Sequence, residues 1–375
     1  MNFLLNEEQV LLRDSVRRYV EREYGFDQRC HYIATAAGGE KVLADMAAQG
    51  WLAAGLDERF GGFGGGLIES CLIAEELGKA MLLEPYWALA MAPTSLLANI
   101  ANDSCLAMLG RVLSGDAIVS VALQGILATD IEIVASQLSN GDFVLSGAGA
   151  SVYGPSHLTH ILVAAKLTID GVVEPALFAI PTETAGLSLA PVTLLDESTS
   201  ARPAFNQTAL PASALLASGA QVSAAKMHCE SIALLGMCAS AIGVAEAIIT
   251  KTVAYLKIRK QFNSPIAKFQ SLQHRIADMK IALEESRASV HSAISLVASA
   301  AGSSLVAVSE AKYIVGKNTS FIAAQGIQLH GAIGLTEEFV IGHYFRAITV
   351  FNHLLGTPSA HLRNLASVDD YFDFN

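Results

Sequence analysis

The spacing of apolar residues changes twice along the 375-residue chain, and no other feature constrains the fold as strongly. Apolar side chains recur every three or four residues up to about residue 115 and again from about residue 216, which predicts amphipathic helices. Between these positions, short β-branched runs are separated by Gly, Pro, Asn and Asp, which predicts strands joined by turns. The sequence therefore predicts an α+β fold with an N-terminal helical domain (1–115), a central antiparallel β-domain (116–215) and a C-terminal four-helix bundle (216–375).

Local signals predict where individual elements begin and end. Asn6 precedes an apolar-periodic stretch and is followed by Glu7 and Glu8, which predicts an N-cap and an acidic first turn. Gly50 ends another helical stretch, and Pro265 interrupts the long helical pattern of the C-terminal part. Strands are predicted at 117–123, 143–146, 160–165 and 176–180.

Composition excludes several classes of function. With 24 basic and 35 acidic residues, the chain carries a net charge of −11, which repels nucleic-acid phosphates. Its five cysteines form no CxxC pair, and its histidines lack ligand spacing, so neither a disulfide framework nor a metal site is predicted. The N-terminus does not resemble a signal peptide, and the most apolar stretches, 231–249 and 292–308, fit buried helices better than membrane spans. We expect a cytoplasmic protein with no nucleic-acid partner and no membrane span.

A basic stretch lies between Lys251 and Arg287. It contains eight basic and three acidic residues, a local charge of +5 in an acidic chain. Arg259 falls where a helix is predicted to end, so its guanidinium can pair with a pyrophosphate, and Phe262 can lie against an adenine. The alternative is a solvated basic surface with Phe262 in the core.

Four segments resemble motifs of the acyl-CoA dehydrogenase family, in the family's order. Residues 259–270, RKQFNSPIAKFQ, resemble the RxQFGxPIxxFQ signature, and residues 325–337, QGIQLHGAIGLTE, resemble the QxxGGxGxTxE segment. Residues 51–64, WLAAGLDERFGGFG, look like the loop before the family's third N-terminal helix, and residues 5–20 are similar to its first helix. The resemblance covers nearly the whole chain and implies the family's α–β–α fold.

The same resemblance implies an FAD site. In the family the arginine reaches the flavin of a neighbouring subunit, which implies a homo- or heterotetramer. Asn263 replaces the glycine of QFG and tolerates a left-handed turn, whereas Ala332 replaces the second glycine of the later motif. The segments 121–125 (VALQG) and 151–154 (SVYG) lack the TEP and WIT residues that usually contact the flavin ring, although Tyr153 offers one phenolic donor. The residues implicated in FAD binding are Arg259, Gln261, Phe262, Gln270, Gln328 and Gly331.

A catalytic base is missing from both positions that the family uses. The base is a carboxylate that removes the α-proton, and it must lie within hydrogen-bond reach of that proton. Leu355 stands in place of the glutamate of the family's YEGT turn, and Ala233 stands at the alternative position on the long helix. Glu230, on the same helical face as Ala233, and Glu246 are candidate bases, and a surface or capping role is the alternative for Glu230.

The resemblance implies an FAD-dependent oxidoreductase that converts an acyl-CoA to the 2-enoyl-CoA and passes electrons to an electron-transfer flavoprotein. Residues 354–366, LLGTPSAHLRNLA, resemble heteromeric bacterial members that include the pimeloyl-CoA dehydrogenase small subunit and subunits acting on steroid side-chain CoA esters. We therefore expect a role in fatty acid or steroid side-chain degradation, with activity that depends on a partner subunit. The alternatives are a non-catalytic structural subunit that contributes FAD contacts to its partner, and an oxidase or monooxygenase on the same fold.

Overall fold

The structure is a computed structural model, and it describes residues 5–35, 38–128, 130–169, 171–299 and 304–367. Its α-helices are α1 (Glu7–Glu23), α2 (Phe26–Thr35), α3 (Gly39–Ala48), α4 (Leu67–Gly78), α5 (Ala92–Ile100), α6 (Asp103–Leu113), α7 (Ala220–Ile258), α8 (Gln270–Ala298), α9 (Ser304–His330), α10 (Val340–His353) and α11 (Pro358–Ala366). Its strands are β1 (Val119–Val121), β2 (Val134–Gln137), β3 (Phe143–Ala148), β4 (Val152–Tyr153), β5 (His160–Ile169), β6 (Val172–Pro181), β7 (Leu187–Ser188), β8 (Pro191–Thr193), β9 (Thr199–Ala201), β10 (Ala204–Leu210), β11 (Leu215–Ser218), β12 (Lys260–Gln261) and β13 (Ser264–Pro265). The predicted order of helical, β-rich and helical parts is confirmed.

Asn6 caps α1 as predicted. Its side-chain oxygen accepts a hydrogen bond from the N–H of Gln9 at 2.8 Å, and the Gln9 side chain accepts one from the N–H of Asn6 at 3.0 Å. This reciprocal capping box satisfies backbone donors that have no partner within the helix. The first turn carries Glu7 and Glu8, which suit the positive end of the helix dipole.

The chain forms two compact units. The first contains the chain up to Cys30, the segment Cys71–Leu82 and the chain from Leu234 onward, and the second contains His31–Ser70 and Leu83–Ala233. Three of the four boundaries fall inside helices α2, α4 and α7, and the fourth lies between α4 and α5. The division at residues 115 and 215 describes the order of helices and strands, and as a division into separate domains it stays a prediction.

The main sheet belongs to the second unit and has the strand order β11-β6-β5-β2-β3-β10-β7, with β1 beside β5. Strand β5 pairs antiparallel with β6 along its whole length, from His160 opposite Pro181 to Ile169 opposite Val172. Its other edge has two parallel neighbours, β1 along the first half and β2 along the second. The antiparallel prediction is confirmed for most pairs. The two parallel pairs arise from crossover connections, which the local sequence pattern does not encode.

Helices α4 and α7 are in close contact within the first unit. A Cβ atom added to Gly243 of α7 would lie 1.9 Å from the carbonyl oxygen of Glu75. One added to Gly78 of α4 would lie 2.2 Å from the carbonyl oxygen of Ser240. Glycine at both positions therefore allows an approach of the two backbones that any side chain would prevent.

The apolar character of α7 is explained by burial. The helix has 39 residues and, by length and composition alone, could cross a membrane. However, 89% of its most apolar 18-residue window is buried inside the protein. Core helices that are hydrophobic on all sides have this composition.

A chain of ion pairs joins four helices of the first unit. Arg17 of α1 pairs with Glu76 of α4 at 3.0 Å, and Lys79, directly after α4, pairs with Glu76 at 2.8 Å. Lys79 also pairs with Glu246 of α7 at 2.9 Å, and Arg287 of α8 pairs with the same Glu246 at 2.9 Å. These partly buried pairs connect helices that are far apart in sequence, and they satisfy charges that would be costly to bury alone.

Gly243→Ala is expected to lower the free energy of unfolding by about 2 kcal/mol, because the added methyl group forces α4 and α7 apart. Urea unfolding followed by far-ultraviolet circular dichroism measures this change. The control is Gly110→Ala in α6, where no atom lies within 4 Å of an added Cβ. That substitution should stabilise the protein by about 0.5–1 kcal/mol. Equal stabilisation by both substitutions would contradict the close helix contact.

Candidate functional site

The arginine motif lies on a tight hairpin that follows α7. The helix ends at Ile258, and strands β12 and β13 then pair antiparallel across the turn. Asn263 adopts the left-handed conformation, with φ of +59°, in agreement with its replacement of a glycine. Phe262 is also left-handed, with φ of +51°, and its side chain is 87% exposed. A bulky residue in this conformation is strained, which is common at binding sites.

All six residues predicted to bind FAD lie exposed on the first unit, and two contacts bring their segments together. In the last turn of α7, the ring of Tyr255 stacks on that of His330 with 4.5 Å between centroids. In α8, Arg275 Nη1 donates to Gln325 Oε1 of α9 at 3.2 Å. The hairpin and the end of α9 are therefore neighbours. The exposed residues are Arg259, Gln261, Phe262, Gln270, Gln328 and Gly331.

Sequence reasoning misses His330, which anchors this junction. Its Nδ1 lies 2.8 Å from the carbonyl oxygen of Gly326, so this nitrogen carries the proton and donates it. The ring lies against both Tyr255 and Phe339, whose centroid is 5.1 Å away. Burial lowers the pKa of His330, which keeps the ring neutral at physiological pH. The sequence did carry a signal for this contact, because one aromatic ring lies beside each motif: Tyr255 precedes the arginine motif, and His330 lies within the later one.

These exposed residues fit the adenosine and pyrophosphate end of FAD. The guanidinium of Arg259 can form paired hydrogen bonds with pyrophosphate oxygens, and the Phe262 ring offers a face on which adenine can stack. Gly331 has φ of +68°, and no atom lies within 4 Å of the position a Cβ would take. A cofactor can therefore approach the backbone closely at this turn. Ala332, in place of the family's second glycine, is also exposed.

Residues 151–154, which replace the family's WIT segment, pack inside the second unit. The side chain of Tyr153 is buried, and its ring lies 4.7 Å from that of Trp87. Its backbone N–H donates to Ser120 Oγ at 3.1 Å. Burial raises the pKa of the Tyr153 phenol. The phenolic donor offered by the sequence is therefore packed inside the unit, and it does not fit a contact with a flavin ring at the surface.

Residues 121–125, which replace the family's TEP segment, are also engaged by contacts within the second unit. The backbone N–H of Gln124 donates to Glu230 Oε1 at 3.1 Å, and its side-chain Nε2 donates to the carbonyl oxygen of Asp130 at 2.7 Å. The side-chain oxygen of Gln124 accepts from Lys226 Nζ at 3.3 Å. The polar groups of Gln124 are thus engaged by the chain itself. The two segments at the family's ring-contacting positions therefore do not fit the flavin ring. The two motifs of the first unit, in contrast, fit the adenosine and pyrophosphate end of FAD.

Neither of the family's two base positions holds an acid. Leu355 is buried and adopts φ of +52°, and Ala233 is fully buried. Leucine and alanine have no titratable proton, so neither position can accept the α-proton of a substrate.

The two candidate carboxylates are both held by cations. Glu230 is buried and pairs with Lys226 of the preceding turn at 2.8 Å. For Glu246, burial by itself would raise the pKa, but hydrogen bonds and charge from Lys79 and Arg287 outweigh it and hold the pKa at about 2. The structure does not support the hypothesis that Glu230 or Glu246 is an available general base. Lysine or arginine already engages both carboxylates. For Glu246, the lowered pKa also lies far from the working pH that suits an efficient base.

Two histidines of α10, His343 and His353, hydrogen-bond to main-chain carbonyl groups. His343 Nε2 donates to the carbonyl oxygen of Glu337 at 3.0 Å, and His353 Nδ1 donates to that of Thr349 at 2.8 Å. In the ranges that the structure describes, no three His, Cys, Asp or Glu side chains are grouped so that they could hold a metal ion.

Two family models match the chain. The model "Acyl-CoA dehydrogenase, N-terminal domain" matches residues 6–104, and "Acyl-CoA dehydrogenase, C-terminal domain" matches residues 218–368. The C-terminal match includes all six residues predicted to bind FAD.

Full-length relatives agree with these matches. The acyl-CoA dehydrogenase IpdE2 of Mycolicibacterium smegmatis is 28% identical over 96% of this chain and 98% of its own length. The ChsE4-ChsE5 complex from Mycobacterium tuberculosis contains a chain of similar fold, with a TM-score of 0.86, 22% identity and 98% coverage of both chains. A glutaryl-CoA dehydrogenase from Mycobacterium smegmatis in complex with FADH2 has a TM-score of 0.83 and 20% identity, covering 99% of this chain and 97% of its own.

Glu230→Gln is expected to lower the free energy of unfolding by about 2 kcal/mol, because it leaves the partly buried Lys226 ammonium without a counter-charge. The double variant Lys226→Met/Glu230→Gln should recover most of this loss, and urea unfolding of the three proteins measures it. The control is Glu284→Gln, since Glu284 pairs with Lys280 at the same spacing but on an exposed surface. The control should lose less than about 0.5 kcal/mol. Equal losses at both sites would show that the Glu230 pair is not a buried one.

Proposed function

Because this chain belongs to the acyl-CoA dehydrogenase family and its cofactor is FAD, we propose that it is one subunit of a heteromeric enzyme that converts an acyl-CoA thioester to the 2-enoyl-CoA. In this proposal the chain holds the adenosine and pyrophosphate end of FAD and takes part in the active site. A partner subunit supplies the catalytic base.

The observation that carries the proposal is the state of the candidate base positions. Leu355 and Ala233 lack an acid, and the carboxylates of Glu230 and Glu246 are neutralised by lysine or arginine within their own unit. Removal of an α-proton needs a carboxylate that is free to accept it. A second chain that brings such a carboxylate completes the chemistry.

In this proposal the site residues described above bind and orient the cofactor, and the partner subunit accepts the proton. FAD, when bound, supplies the acceptor for the hydride that leaves the β-carbon. Arg259 neutralises pyrophosphate charge, Phe262 covers the adenine, and the Gly331 turn lets the backbone approach the cofactor. The stack of Tyr255 on His330 keeps the arginine hairpin beside that turn.

Assembly with another chain is supported by exposed apolar side chains on the first unit. Ile258, Phe262 and Leu335 are 75%, 87% and 72% exposed. Apolar side chains exposed together near a site commonly mark a surface that another chain covers. The ChsE4-ChsE5 structure, which has the same fold, is a complex of two different chains.

Further parts of the proposal follow from the family resemblance. We propose a heterotetramer located in the cytoplasm, with an electron-transfer flavoprotein as electron acceptor. We propose substrates among the CoA thioesters of fatty acids or steroid side chains.

A structural subunit without chemistry of its own is the second candidate. It is favoured by the closed ring-contacting segments, in which Tyr153 packs on Trp87 and Gln124 is engaged by Glu230 and Lys226. In that arrangement the chain lends contacts only to the adenosine end of the cofactor, and the partner holds the ring and the substrate.

Arg259→Ala is expected to weaken FAD binding by about tenfold or more, because the guanidinium forms charge-assisted bonds with pyrophosphate. The measurement is titration of FAD into the deflavinated complex of this chain with a co-expressed acyl-CoA dehydrogenase partner chain, followed by flavin fluorescence. The matched control is Lys257→Ala, an exposed cation two residues earlier on α7. Equal affinity in the wild type and both variants would remove Arg259 from the cofactor site.

The ratio of flavin to protein in the purified complex distinguishes the two candidates. One FAD for each chain, with dehydrogenation of an acyl-CoA, supports the participating subunit. One FAD for each pair of chains supports the structural subunit. A complex that contains no flavin and dehydrogenates no acyl-CoA contradicts both.

A further inference from the structure

The corner between α10 and α11 is held in an unusual conformation within the first unit. Leu355 is buried with φ of +52°, and the next residue, Gly356, has φ of +99°. Thr357 then caps α11 by accepting the N–H of Ala360 on its hydroxyl oxygen at 3.2 Å. A leucine in the left-handed region persists only where its surroundings fix it.

One face of α9 supplies four contacts to this region, from residues spaced three or four apart: Ser309, Lys312, Gly316 and Ser320. Ser309 Oγ donates to His361 Nδ1 at 3.1 Å, and His361 Nε2 donates to the carbonyl oxygen of Leu355 at 3.1 Å. Gly316 admits Pro358, whose Cγ would lie 2.4 Å from an added Cβ. Further along α9, the hydroxyl of Ser320 accepts from the side chain of an asparagine in the last turn of α10.

Lys312 lies on the same face of α9 and is fully buried. Its Nζ donates to the carbonyl oxygen of Phe351, in the last turn of α10, and lies 3.6 Å from the centroid of the Phe351 ring. Carbonyl groups in the last helical turn lack partners within the helix, so this bond fixes the end of α10. Within the described part of the chain, no carboxylate forms an ion pair with Lys312.

The groups around Lys312 cannot balance a positive charge. Cys238 of α7 is fully buried, and burial raises the pKa of its thiol to about 12, so it stays neutral. His361 of α11 is also buried, and burial lowers its pKa to about 4. From α10, the carbonyl and ring of Phe351 lie against the Lys312 amine, and neither carries a net charge. Burial lowers the pKa of Lys312 itself to about 7.

We propose that Lys312 is an acid-sensitive latch: as a neutral amine it fastens the end of α10 and the corner at Leu355, and when acid protonates it the unpaired buried charge loosens that corner. The proposal concerns this chain alone and does not depend on the identity of its partner or substrate.

The direction of the pH dependence follows from proton linkage. Lys312 has a pKa of about 7 when buried and returns toward the ordinary lysine value of 10.5 when the corner opens and water reaches it. Between these values the open state binds more protons than the closed state, so the free energy of opening rises with pH. Below about pH 7 both states are protonated, and the corner is least stable there.

Amide hydrogen exchange of the purified chain, read by mass spectrometry on a peptide covering 350–361, tests the latch. After correction for intrinsic exchange, protection of this peptide should rise about tenfold or more between about pH 6.5 and about pH 8.5. In Lys312→Met the rise should vanish, because no proton binds there. Lys317→Met changes an exposed lysine five residues later on α9 and should keep the wild-type rise.

Two results would overturn the proposal. One is a flat pH profile in the wild-type peptide, and the other is an unchanged rise in Lys312→Met. If Lys312→Met fails to fold, Lys312→Gln replaces it, since glutamine still donates to the Phe351 carbonyl but does not titrate. A peptide from α6 in the second unit serves as internal reference, and a parallel rise there would show a global effect instead of a local latch.

Discussion

Burial of charge requires a partner, and this requirement governs both units of the protein. A buried carboxylate costs several kcal/mol unless a cation and hydrogen bonds accompany it. In the first unit, Glu246 meets this requirement through Lys79 and Arg287, and in the second unit Glu230 meets it through Lys226. The same pairs that hold the helices together therefore take away the carboxylates that sequence position offers as bases. A carboxylate that is held in such an ion pair stabilises the fold, and it is then not free to accept a proton from a substrate.

The residues expected at the two ends of FAD differ in how many of their polar and aromatic groups already have partners within the chain. At the adenosine end, Arg259 and Phe262 are exposed, and the Gly331 turn is open. At the ring end, Tyr153 and Gln124 are engaged by their own unit. Exposed groups of this kind can form new hydrogen bonds or stacking contacts when a ligand or a second chain binds. Groups that already have partners within the chain form no additional contacts. This asymmetry favours a role in which the chain completes a site together with another subunit.

The sequence predicts what depends on local backbone chemistry. The Asn6 cap, the order of helices and strands, and the left-handed Asn263 all follow from a few neighbouring residues. It does not predict interactions across long distances: the parallel neighbours of β5 depend on crossover paths. The engagement of Glu246 depends on where the fold carries Lys79 and Arg287. Lys226 and Glu230, by contrast, are four residues apart on one helix, and that spacing is visible in the sequence. The six residues predicted to bind FAD came from motif resemblance, and His330 was missed because its role depends on the packing of Tyr255.

The corner at Leu355 has a backbone geometry that does not depend on the side chain at that position. The left-handed conformation there is imposed by Lys312, His361 and Gly316, and none of these contacts involves the side chain of residue 355. Helix packing places all three, so a change from glutamate to leucine at this position removes the proton acceptor without removing the forces that shape the turn. The strain of a leucine in this conformation is then the expected consequence of a backbone that is fixed by its surroundings.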